Sequence, residues 1–174
     1  MELNSFLTDK GIKPKEKTEI LAAMIAEKEI MVAQLAGFAK MAKEPVKATC
    51  MEALEHATLA NPAILDEASF DFVVQSLKDK GPRVKWESAR VIANTAHLFK
   101  GRLGPAVENL LANTEHPGTV VRWSAAFALG GILKLNTSLN NEQVPAIRAI
   151  VEREKKESIR KLYLQAMRKV TSDE

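Results

Sequence analysis

One ten-residue stretch decides the fold. Residues 121–130 read Val121-Arg122-Trp123-Ser124-Ala125-Ala126-Phe127-Ala128-Leu129-Gly130. Three further stretches align with it without gaps, at residues 46–54, 84–92 and 159–167. The four starting positions are separated by 38, 37 and 38 residues, a spacing too regular for four unrelated helices. Self-similarity at a fixed period is the signature of a repeat architecture, so we predict a repeat protein.

Each aligned stretch predicts an α-helix with one buried face. A β-branched residue is followed by Lys or Arg, and apolar or small residues recur four, seven, eight and eleven positions after it. That spacing marks one side of a helix. Three of these helices have a proline just ahead of them, where a missing amide proton costs nothing: Pro45, Pro82 and Pro117. The predicted buried residues are Val46, Cys50, Ala53, Leu54, Ala57; Val84, Ser88, Val91, Ile92, Thr95; Val121, Ala125, Ala128, Leu129, Ile132; Ile159, Tyr163, Ala166, Met167 and Val170.

A second amphipathic pattern precedes each of these helices. It covers residues 29–41, 66–78, 103–113 and 141–154. The repeat is therefore a two-helix hairpin, and stacked hairpins bury a continuous core that no single hairpin could bury. Residues 15–26 predict a further helix that caps the start of the stack.

Composition and charge exclude several function classes. The chain has 174 residues and a net charge of +3, far from the concentrated charge of a dedicated nucleic-acid or membrane binder. A single cysteine, Cys50, excludes an internal disulfide and a cysteine-based zinc site, and it favours a reducing, cytoplasmic location. We expect no signal peptide at residues 1–11 and no membrane span, since the least charged stretch, residues 30–39, is too short.

The opening of the second helix resembles the HEAT repeat. Residues 121–130 match the pattern Val-Arg-x-x-Ala-Ala-x-Ala-Leu-Gly almost fully, residues 84–92 match it loosely, and the outer two copies are degenerate. The resemblance covers roughly residues 28–170. It implies an all-α, right-handed α–α superhelix, a HEAT-like solenoid of about four two-helix repeats with an N-terminal capping helix. We expect one domain over residues 1–174, divided into a cap at about 1–27 and repeats at about 28–61, 62–100, 101–137 and 138–174.

The resemblance also implies a ladder of charges along the turns. HEAT repeats commonly carry Asp in the turn within the repeat and Arg at the start of the second helix. The basic residues here are Lys47, Lys85, Arg122 and Arg160, and the residues six positions earlier are Met41, Asp79, His116 and Glu154. We predict structural pairs of Asp79 with Lys85 and of Glu154 with Arg160. Phosphate binding by the basic residues is the alternative.

By resemblance, the functional surface is the concave face formed by the second helices. Residues two, six, nine and thirteen positions after the opening residue turn away from the buried side. The predicted protein-binding residues are Trp86, Arg90, His97, Trp123, Phe127, Lys134, Lys161, Gln165 and Arg168. Tryptophan and arginine are typical anchors of binding hot spots. Alternatively, the tryptophans seal the seam between repeats, and Arg90 stacks on Phe127 in either case.

Two functions of different classes follow. The first is a non-catalytic scaffold or adaptor that binds a protein segment on this face. The second is a DNA-binding protein similar to the HEAT-type alkylpurine DNA glycosylases, which needs a carboxylate beside the tryptophans and a basic flank from Lys134, Lys161, Arg168 and Lys169. Glu87 is predicted to point about 100° away from Trp86 around the helix.

Catalytic and cofactor-binding motifs are not found in the sequence. The three histidines have no paired spacing, no glycine-rich phosphate loop occurs, and Cys50 lies at a core position. Glu52 and Glu55 are expected to be solvated surface charges. We therefore expect no metal and no cofactor, and the family resemblance alone does not supply a function.

Overall fold

The computed structural model describes residues 2–171; residue 1 and residues 172–174, the ends of the predicted domain, lie outside the described residues. The chain is an all-α, right-handed solenoid, as predicted. Its first helices are α1 (Leu3–Thr8), α3 (Val32–Met41), α5 (Glu67–Ser76), α7 (Leu103–Asn113) and α9 (Asn140–Arg153). Its second helices are α2 (Pro14–Ala26), α4 (Glu44–Ala60), α6 (Pro82–Thr95), α8 (Thr119–Leu133) and α10 (Glu157–Thr171). Short 3₁₀ turns at Pro62–Ile64, Ala96–Leu98 and Lys100–Arg102 join neighbouring pairs.

The second helices form one continuous layer. Helix α2 packs on α4, and α4, α6, α8 and α10 follow in order, so α2 caps the stack as predicted. Small side chains let these helices approach closely. At Gly130 in α8, for example, an added Cβ would lie 3.2 Å from the Cβ of Ala166 in α10. We call the exposed side of this layer the second-helix surface.

The predicted core is confirmed except near its ends. In α6 and α8 every predicted core residue is buried, with at most 1% of its surface exposed. Three predicted core residues are only partly buried: Val46, Met167 and Val170. The last two lie on α10, whose outer side is not covered by any helix within residues 2–171.

The charge ladder joins neighbouring hairpins rather than the helices of one hairpin. Lys47 Nζ donates to Asp79 Oδ2 over 2.6 Å, and Arg122 Nε donates to Glu154 Oε2 over 3.0 Å. Between these two pairs, Lys85 Nζ donates to Asn113 Oδ1 over 3.1 Å. The predicted pair of Asp79 with Lys85 is therefore wrong as a direct contact, because Lys85 reaches forward to the next hairpin, although the two charges still attract each other.

Within a hairpin, the same basic side chains bind backbone carbonyls instead. Lys85 Nζ donates to Leu77 O over 3.1 Å, and Arg160 Nε donates to Val151 O over 3.2 Å. The last carbonyls of a helix have no partner in the helix and attract cations. The predicted pair of Arg160 with Glu154 is wrong for this reason. Lys17 in α2 repeats the arrangement by donating to Leu7 O over 2.8 Å.

The residues six positions before the basic residues organise the turns. The side chains of Asp79, His116 and Glu154 each accept, over 2.9 Å, the amide hydrogen of the residue two positions later. Burial alone would raise the pKa of Asp79, but the hydrogen bonds from Lys47 and the Gly81 amide outweigh it and lower the pKa. The pKa of Glu154 is lowered in the same way, by the Lys156 amide and Arg122 against burial.

Candidate protein-binding surface

The structure leaves most of the predicted binding residues accessible. Arg90, Phe127, Lys134, Lys161, Gln165 and Arg168 are exposed on α6, α8 and α10, while Trp86 and Trp123 are half-buried. His97 is exposed too, but α6 ends at Thr95 and His97 lies in the following 3₁₀ turn. The helical offset that placed His97 beside Arg90 therefore does not apply.

Two aromatic rings stack on α8. The rings of Trp123 and Phe127 lie 5.3 Å apart between centroids and are inclined by 9°. These residues are four apart, so their side chains meet on one face of the helix. Trp123 packs against the core, and Phe127 on its outer side remains 42% exposed. Phe127 thus stacks on Trp123 rather than on Arg90, the partner expected from the sequence.

Trp86 is held by a buried carboxylate. Its indole Nε1 donates to Glu87 Oε1 over 2.8 Å, although Glu87 was expected to point away from it. Glu87 is 6% exposed, and burial raises its pKa. The nearby charges of Glu52 and Glu55 raise the pKa further, against the hydrogen bond from Trp86 and the charge of Arg90.

The other carboxylates between α4 and α6 have cationic partners. Glu55 is 3% exposed and lies 3.3 Å from Arg90 Nη2, so the expectation of a solvated charge is wrong for Glu55. Glu52 accepts hydrogen bonds from Arg83 Nη2 over 2.7 Å and from Thr18 Oγ1 over 3.1 Å. A buried carboxylate needs such partners to offset its lost hydration. Glu87 has the indole instead.

A small cavity opens between α6, α8 and α10. It has a volume of about 260 Å³ and brings together three of the predicted residues, Phe127, Lys134 and Gln165. The other residues that line it are small or apolar: Ala93, Ala126, Gly130, Gly131 and Leu162. Lys161 and Arg168 lie on α10 outside this cavity.

The described residues supply neither an exposed thiol nor a cluster of metal-binding side chains. Cys50 is 1% exposed, as predicted, and burial raises the pKa of its thiol to about 12. Across residues 2–171, no three His, Cys, Asp or Glu side chains are grouped so that they could hold a metal ion. None of the helices within the same residues combines the length and the apolar character needed to cross a membrane.

The fold defines the chain as a helical-repeat solenoid. The chain matches no protein-family model and no curated protein sequence. Solved structures do resemble it. A designed armadillo repeat protein in complex with the peptide (KR)4 has a TM-score of 0.76 at 18% identity, covering 97% of this chain and 80% of that chain. The complex of CpcE and CpcF of phycocyanin lyase from Nostoc sp. PCC7120 has a TM-score of 0.74 at 16% identity, covering 95% and 97%. At these identities the likeness concerns the fold alone.

Proposed function

We propose that the chain is a non-catalytic scaffold that binds a segment of a partner protein along its second-helix surface. The observation that carries the proposal is the stack of Trp123 and Phe127, which leaves the Phe127 ring 42% exposed on the second-helix surface. Exposed aromatic side chains on a rigid surface supply much contact area at little cost in conformational entropy.

One of the fold neighbours supports the binding of a polypeptide segment. The designed armadillo repeat protein was solved with a bound peptide, (KR)4. Stacked helical repeats offer an extended surface of this kind. The charged residues of this chain are not those of the designed protein, so the chemistry of its partner segment must be inferred from the residues of this chain.

Selection of peptides from a random library displayed on phage tests the proposal. Synthetic versions of the selected peptides are titrated against the wild-type chain, Phe127→Ala and a control, Met31→Ala. Met31 is 64% exposed and precedes α3, away from the second-helix surface. We expect Phe127→Ala to weaken binding by about 2 kcal/mol, the threshold of a hot spot, and Met31→Ala to leave binding unchanged.

Thermal unfolding of the same variants separates binding from stability. Because Phe127 is 42% exposed, its truncation should cost less stability than truncation of a fully buried phenylalanine, and the folded state should persist. A selection that yields no binders, or binders that respond equally to both variants, would refute the proposal.

One observation favours the second candidate, a DNA-binding protein of the glycosylase type. The hydrogen bond from Trp86 to Glu87 places a carboxylate beside a tryptophan, as that function needs. We rank it second because Glu87 is 6% exposed and faces the protein interior rather than an open site. It requires binding of a labelled DNA duplex that weakens steeply with salt. Absence of such binding at about 50 mM salt excludes it.

A further inference from the structure

Two neighbouring glycines near the end of α8 differ in what folding requires of them. An added Cβ at Gly130 would crowd Ala166, so close packing of α8 on α10 explains that glycine. An added Cβ at Gly131 would meet no atom within 4 Å, and neither residue has a positive φ. Glycine inside a helix is less stable than alanine. The packing of the fold therefore gives no reason for Gly131.

Gly131 borders the 260 Å³ cavity between α6, α8 and α10. Because an added Cβ there would meet no atom within 4 Å, the glycine leaves its part of the cavity lining free of side-chain atoms. Sites for whole small molecules usually measure about 300–1,000 Å³. This cavity is smaller than that range, and its size suits one side chain of a bound polypeptide.

The lining of the cavity defines the chemistry of such a side chain. Its floor of Ala93, Ala126 and glycine is apolar, and Phe127 provides an aromatic wall. Lys134 and Gln165 are the polar residues of the lining, which contains no carboxylate. Lys161 is exposed one helical turn before Gln165 on α10 and adds positive charge to the same face.

We propose that this cavity, the Gly131 pocket, receives an apolar side chain of a partner segment that carries a carboxylate next to it. The apolar side chain contacts Ala93, Ala126 and Phe127, and the carboxylate pairs with Lys134. The proposal rests on the proposed function, because it assigns one contact of the scaffold's partner.

Two small probes test the chemistry directly. N-acetyl-L-leucine and N-acetyl-L-leucinamide share a side chain and differ in the carboxylate. We expect N-acetyl-L-leucine to shift the amide signals of Gly130 and Gly131 in two-dimensional NMR, saturably and in the millimolar range typical of such small ligands. The signal of Gly37, on α3, should stay in place. The amide probe should bind about two- to fivefold more weakly, as expected for loss of an exposed ion pair.

Matched variants locate the effect. Gly131→Leu fills the pocket and should weaken N-acetyl-L-leucine binding at least tenfold, whereas Gly37→Leu should not change it. An added Cβ at Gly37 also meets no atom within 4 Å, which makes it the matched control. Lys134→Gln keeps the pocket and should remove the difference between the two probes, which provides a second test if Gly131→Leu does not fold.

Some results would overturn the proposal. They are the absence of a saturable shift at Gly130 and Gly131, equal binding of both probes to the wild type, or unchanged binding to a folded Gly131→Leu. The phage-selected peptides distinguish this failure from failure of the proposed function. Peptides that lose affinity with Phe127→Ala but keep it with Gly131→Leu would overturn the pocket and leave the scaffold function standing.

Discussion

The ion pair between Lys47 and Asp79 offers a direct test of how the hairpins are joined. The sequence pattern pairs Asp79 with Lys85 in its own hairpin, whereas the structure pairs it with Lys47 of the preceding one. The perturbation is Asp79→Ala, combined in turn with Lys47→Ala and with Lys85→Ala. Each double-mutant cycle isolates the coupling energy of one pair.

The contacts of Asp79 set the expected magnitudes. The Lys47 Nζ to Asp79 Oδ2 distance is 2.6 Å, and the two side chains are 19% and 18% exposed. Hydrogen bonds to charged groups contribute about 1.5–3 kcal/mol when protected, and exposed ion pairs about 0.2–1 kcal/mol. At this partial exposure we expect a coupling of about 1–2 kcal/mol. Lys85 donates to Leu77 O and Asn113 instead, so its coupling to Asp79 should stay below about 0.5 kcal/mol.

Urea unfolding followed by tryptophan fluorescence measures both cycles. The lowered pKa of Asp79 makes its contribution fully present above the unfolded value of about 3.9, and it is lost as the pH falls through the folded value. The coupling to Lys47 should therefore be largest at neutral pH and diminish as the pH falls below the unfolded value. Asp79→Asn, which keeps an acceptor for the Gly81 amide, should be less destabilising than Asp79→Ala. A coupling to Lys85 equal to or larger than that to Lys47 would refute the ladder between hairpins.

Two further substitutions test single positions. Burial raises the pKa of Glu87, so the protonated carboxyl group favours the folded state. This contribution to the free energy of unfolding is fully present below the unfolded pKa of about 4.3 and is lost as the pH rises through the folded pKa. Glu87→Gln keeps an acceptor for Trp86 and should stabilise the chain at pH 7.5 but not at about pH 4 by urea unfolding; an equal effect at both pH values would contradict this. Met41 is 88% exposed at the position equivalent to that of Asp79 in the next hairpin. Met41→Asp should therefore form an ion pair with Lys17 and stabilise the folded chain by about 0.5–1 kcal/mol. The melting temperature of Met41→Asp is compared with that of Met41→Asn, and equal values would show that no ion pair forms.

The helices could be predicted because their information is local and is repeated. The period of 37 to 38 residues fixed the hairpins, and helix α7 spans Leu103–Asn113, the same residues as predicted. The ladder partners could not be predicted in this way. Periodicity shows that Asp79 and Glu154 are equivalent positions, but it does not show whether they contact the previous hairpin or their own. That depends on the displacement between hairpins, which is a property of the packed solenoid.

The candidate site likewise contains residues that the sequence could predict and residues that it could not. Helical offsets correctly identified exposed residues such as Phe127, Lys134 and Gln165, because exposure follows from position around one helix. The offsets did not predict the contact between Glu87 and Trp86, since the long indole of Trp86 reaches across the angle between the two Cα–Cβ directions. They also missed Gly131, although one signal was available in the sequence. Two consecutive glycines inside a predicted helix oppose helix formation and therefore need a reason beyond it.

Two features that folding leaves unexplained lie on the second-helix surface, and they support a binding role for it. Phe127 exposes an aromatic ring, and Gly131 weakens its helix without relieving a close contact. Both residues lie on α8, within the second-helix layer. Glu87, a buried carboxylate whose hydrogen-bond donor is an indole rather than a cation, lies on the neighbouring helix α6. On the turn side, by contrast, Lys47, Lys85 and Arg122 have partners that account for them. Local costs to stability that a fold does not require are most readily understood as requirements of function.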